Sequence, residues 1–72
     1  MNKFHCYEIA TETSYHVGVY ESEVDRNINF DKLVTFFEEE IETTSLGTCE
    51  AEDIEAATDL IRAGQWSYSQ RC

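Results

Sequence analysis

Two stretches near the N-terminus, KFHCYEIA and SYHVGVYES, are rich in aromatic and β-branched residues, and a polar TETS separates them. That arrangement predicts a β-hairpin. In the second stretch Tyr15, Val17 and Val19 share one face at period two, while His16, Gly18 and Tyr20 share the other. The first stretch alternates less cleanly, with Phe4 and Cys6 set against His5, Tyr7 and Ile9, so the pattern does not fix its inward face.

Further on, the period changes. Phe30, Leu33, Val34, Phe37 and Ile41 recur at helical spacing and fall within roughly 100° of arc. They predict a helix that opens near Phe30–Asp31 behind an Asn29 or Asn27 cap and runs to Glu42 or Ser45, with Gly47 at its left-handed end. A second helix is expected from Thr48 or Cys49. Its inward stripe is Ile54, Ala57, Thr58 and Ile61, Arg62 lies in its last turn, and Gly64 closes it. The tail QWSYSQRC, with Trp66 and Tyr68 at period two, is a candidate third strand. The predicted fold is therefore α+β: an N-terminal β-hairpin, then two helices, then a short C-terminal strand, in two layers.

The chain has 72 residues, three glycines and no proline, so residues 1–72 read as a single domain without a linker. A core of this size supplies only about 3–5 kcal/mol without help, which keeps a homodimer in view. Charge changes the picture most. Fifteen acidic residues face five basic ones, for a formal net charge of −10. A chain of that sign repels nucleic acid and anionic membrane and is drawn to basic surfaces, so no direct nucleic-acid or membrane binding is expected. No apolar run approaches the ~20 residues that span a bilayer, and Glu8 and Glu12 interrupt any leader-like segment. Cytoplasmic residence is the expectation, and three cysteines without framework spacing fit reduced thiols there.

Catalytic chemistry finds little footing. There is no nucleophile elbow, phosphate-binding glycine loop or H-E-x-x-H. His5 and Cys6 are strand neighbours that point to opposite faces and so cannot pair. The set His5, His16, Cys6, Cys49 and Cys72 lacks zinc-ligand spacing. No cofactor, no metal and no enzymatic activity are expected.

The acidic surface remains. On the predicted first helix Glu38, Glu39 and Glu42 lie on the outer half, beside Glu40, where the helix dipole is negative and each carboxylate costs about 0.3–1 kcal/mol. Glu52, Glu55 and Asp59 occupy the outer face of the second helix. An antiparallel helix pair would present two rows of carboxylates. Phe36, about 120° from the stripe centre, is either an exposed anchor ringed by charge or packed beneath Trp66 or Tyr68.

A short, proline-free, strongly acidic α+β chain carrying FFEEEIET and EAEDIEAATD resembles the small inhibitors made by bacteriophages, of the anti-CRISPR and anti-restriction class. The resemblance is one of profile over the whole chain and carries over no individual residue. It implies a non-enzymatic protein that occupies the basic surface of a nucleic-acid-handling partner in the cytoplasm, the host's if the gene is a phage's. The expected partner-binding residues are Phe36, Glu38, Glu39, Glu40, Glu42, Glu52, Glu55 and Asp59. The competing reading is a structural or assembly subunit that acts through homo-oligomerisation, with the acidic face serving solubility.

Overall fold

The two N-terminal stretches pair as expected: β1 (Asn2–Thr11) and β2 (Tyr15–Tyr20) are antiparallel, with Cys6 opposite Val19 and Ile9 opposite His16. The turn is held by Thr11, whose hydroxyl oxygen accepts from the backbone N–H groups of Thr13 and Ser14. In this computed structural model, which describes residues 1–71, there follow α1 (Glu23–Phe36), β3 (Ile41–Ala51), α2 (Ile54–Arg62) and β4 (Ser67–Arg71). Cys72 lies outside the described residues. The four strands form one antiparallel sheet in the order β2-β1-β3-β4.

This corrects the predicted architecture of a hairpin followed by two helices. The first helix opens at Glu23, not at Phe30. Ser22 caps it, its side chain accepting from the Asp25 N–H, and Glu23 and Asp25 in the first turn suit the positive end of the dipole. The helix stops at Phe36. The segment read as its second half, IETTSLGTCEA, is instead β3, a central strand whose register runs along nearly the whole of β1. Its β-branched residues Ile41, Thr43, Thr44 and Thr48 fit a pleated surface better than a helix, where they lose side-chain freedom. Gly47, expected as a helix cap, lies inside this strand. A methyl there would collide with the Ser67 carbonyl and the Tyr68 backbone, so the absence of a side chain is what lets β4 pair closely with β3.

The layering also differs from expectation. Tyr7 meets Phe30 of α1, while Cys49, whose cross-strand partner is Phe4, donates its thiol to the Ala57 carbonyl of α2. Residues 4 and 7 of an unbroken strand point to opposite faces. The helices therefore cover opposite faces of the sheet, giving three layers rather than two. On the α2 side Phe4, Cys6, Cys49, Ala51, Ala57 and Ile61 form a buried cluster, with Val17, Val19, Leu60 and Trp66 against it. On the α1 side Tyr7 and Ile9 are buried beneath the helix, and the Tyr7 ring lies over Gly18 and stacks on Tyr20. The first strand alternates poorly because both of its faces are inward.

Arg26 is the unexpected member of the α1 interface. Only 7% exposed, its guanidinium donates to the carbonyl oxygens of Cys6 and Gly47 at 3.3 and 3.1 Å, tying the helix to both central strands. Its Nε donates to Asn27 Oδ1, and Glu23 lies 3.7 Å away as an ion-pair partner. The buried charge is therefore largely satisfied by hydrogen bonds.

Candidate partner-binding surface

Phe36 ends α1, and Phe37 is its C-cap. Glu38, Glu39 and Glu40 then form the turn into β3, and Glu42 is an exposed residue near the start of that strand. The expected acidic helix end is thus a turn just beyond the helix, yet its electrostatic setting is as anticipated. No basic residue occupies the last turn of α1, and three glutamates follow it directly. The turn is closed by the Phe37 carbonyl, which accepts from Glu40 N–H, and tied to the hairpin by the Glu40 carbonyl, which accepts from Glu12 N–H. Glu12, which the sequence reading did not select, therefore joins the same end of the molecule. Only the strand register could have brought it there.

Phe36 is 77% exposed. It does not pack under the tail; Trp66 and Tyr68 stack on each other instead. Phe36 meets Phe37 edge-on at 4.8 Å, Phe37 stacks on His16 at 4.7 Å, and His16 Nε2 lies 2.9 Å from the Ser14 hydroxyl. The ring is thus presented to solvent on a column of aromatic side chains rooted in β2.

Glu52, Glu55 and Asp59 are not beside this turn. Glu52 precedes the Asp53 cap of α2, Glu55 is in the first helical turn, and Asp59 faces outward further along. Glu21, Glu52, Asp53 and Glu55 share one shallow depression with Asn2 at the far end of β1. Along a ten-residue strand the two acidic ends lie roughly 30 Å apart. With the helices on opposite faces, the expected antiparallel pair with two adjacent carboxylate rows does not exist. The charge is gathered instead at two poles. Among the described residues the one ion pair is that of Arg26 with Glu23, so the glutamates of the turn have no cationic partner.

The candidate nucleophiles are held apart. Cys6 points to the α2 side and His5 and His16 to the α1 side. Burial pushes the Cys6 thiol up to about 12, with neighbouring Cys49 adding to the rise and Arg26 opposing it, the reverse of what activates a thiol. Burial also raises Cys49, and nearby Glu50 adds to it. Among the described residues no three His, Cys, Asp or Glu side chains gather to hold a metal, and no helix is long and apolar enough to cross a membrane. Protein-family models, curated proteins and solved structures all return no match to the chain.

Proposed function

We propose that this chain is a non-enzymatic acidic binding protein that inhibits a nucleic-acid-handling partner by occupying its basic surface, and that the α1–β3 turn is the part that docks. The partner class is that of the resemblance noted above: a CRISPR effector, a restriction or repair enzyme, or a polymerase, met in the cytoplasm. The observation that carries the reading is the exposed Phe36 ring, set edge-on against Phe37 beside Glu38, Glu39 and Glu40. An aromatic anchor bordered by uncompensated charge has the make-up of an interface hot spot. The carboxylates would speed encounter and set specificity more than they add affinity.

A pull-down from bacterial lysate at low and high salt tests this, with Phe36→Ala and the Glu39→Lys/Glu40→Lys double variant alongside. A nucleic-acid-handling protein retained by the parent at low salt and lost with both variants supports the reading. Equal retention by all three proteins would sink it.

The assembly reading draws on Val24 and Ile28, one turn apart on the outer side of α1 and 64% and 48% exposed. Sedimentation separates the two: a tight oligomer broken by Ile28→Lys and indifferent to the glutamate reversals favours assembly.

A further inference from the structure

β4 pairs with β3 only from Thr44 to Thr48, so among the described residues no strand lies on the outer side of Cys49–Ala51. Beside this unpaired end of β3 lies a groove of about 510 Å³ between the strand and α2. Its walls are apolar: Ala51 from the strand, and Ala56, Leu60 and Ala63, which recur at i, i+4 and i+7 along the helix. Its rim carries the exposed carboxylates of Glu52 and Asp59, neither of them in an ion pair among the described residues, beside Met1 and Gln65, while Glu50 alternates to the opposite face of β3, across from Lys3.

We infer that this groove is a second docking site, and that it takes an extended segment of a partner protein bearing one apolar side chain between lysine or arginine residues. The apolar side chain would fill the space over Ala56 and Leu60. Its basic neighbours would meet the carboxylates of Glu52 and Asp59. The bare edge of β3 would lie alongside the segment's backbone, as in strand addition to a sheet edge. A second copy of this chain is a poor occupant, because each copy carries a net charge of −10. The groove is separate from the α1–β3 turn at the other pole, so the inference does not depend on the proposed function.

The test is selection of a random linear-peptide library on the purified protein, followed by titration of the selected peptides into labelled protein observed by NMR. Enriched sequences should carry Leu, Ile, Met or Phe flanked by Lys or Arg. Resonance shifts should centre on Ala51, Ala56, Leu60 and Ala63. Binding should weaken about tenfold or more when Ala63→Arg blocks the groove or when Glu52→Lys/Asp59→Lys reverses the rim. Ala63 is exposed at the helix end, where a cation suits the dipole, so that variant should fold. Glu39→Lys/Glu40→Lys should leave this binding unchanged. Failure to enrich such peptides, shifts centred on residues 36–40, or undiminished binding to Ala63→Arg would each overturn the inference. So would peptides that bind equally well after their apolar residue is replaced by alanine.

Discussion

The two helices follow different rules. In α2, Asp53 caps the N-terminus by accepting from Ala56 N–H at 2.8 Å, Glu55 lies in the first turn and Arg62 in the last. Its C-terminus closes through Gly64 at φ +75°, with Gly64 N–H donating to Ile61 and Gln65 N–H to Leu60, the two bonds of a Schellman motif. Ala57 and Ile61 are fully buried beneath it. In α1 the start is just as orthodox, but the buried face includes an arginine, apolar side chains stand in solvent, and the end has neither glycine nor cation. The helix that obeys the local rules holds the core. The helix that departs from them presents Phe36 and the glutamates.

The sharpest way to break this comparison is to remove the anchor of α2. Ile61→Ala should cost about 2–5 kcal/mol, most of the stability of so small a domain, as read from urea unfolding. Arg26→Ala, on the α1 side, should cost about 2–3 kcal/mol by deleting charged hydrogen bonds to the two central strands and opening space beneath the helix. If Arg26→Ala were neutral, α1 would be an appendage rather than part of the fold.

The cysteines under α2 give a finer probe. The Cys6 thiol is held near 12 when folded and returns to about 9.0 on unfolding, so the folded state keeps its proton longer. Stability from this thiol is fully present below pH 9 and falls as pH rises towards 12, by at most about 1.4 kcal/mol per unit. Cys49 carries the same sign. Tyr7 and Tyr15, raised by burial and by their partners Tyr20 and Glu8, add to the loss at higher pH. Unfolding midpoints taken between pH 8 and 10 should show the decline, and Cys6→Ala should flatten it.

The smallest effect carries the opposite sign. Glu39→Lys/Glu40→Lys should leave the fold intact and raise stability by up to about 1 kcal/mol, by placing cations near the negative end of α1. A stabilising change that abolishes partner binding would separate the two roles of this helix. A destabilising one would mean that the glutamates support the fold.

Much of α2 was legible because every local signal agreed: Ile54, Ala57 and Ile61 at helical spacing, acid first, base last, glycine after. The hairpin was legible for the same reason. The central strand β3 was not. Phe30, Leu33, Val34 and Phe37 set a true helical stripe, and Ile41 continued it by coincidence of spacing. What ended the helix was pairing with β1, a contact between residues some forty positions apart that no local window contains. Ser22 with Asp25 marks the helix start, but the first two turns, EVDRNIN, show no inward apolar stripe because the residue they bury is Arg26. The candidate site was legible in composition only. Phe36 and the glutamates could be named from the sequence, whereas the partition of acidic groups between two poles depended on the missed strand.

The incomplete pairing of β4 has a consequence for motion. This strand is joined to the rest of the sheet through β3 alone, by Thr44 to Thr48, and its described side chains are exposed on both faces. Peeling it away would leave the buried cluster of Phe4, Cys6, Ala57 and Ile61 intact. Its amides should therefore exchange with solvent by a local opening that costs far less than global unfolding, while those of β1 exchange only when the whole molecule opens. Each such opening lengthens the free edge of β3, giving the molecule a second, transient form with a longer strand to offer.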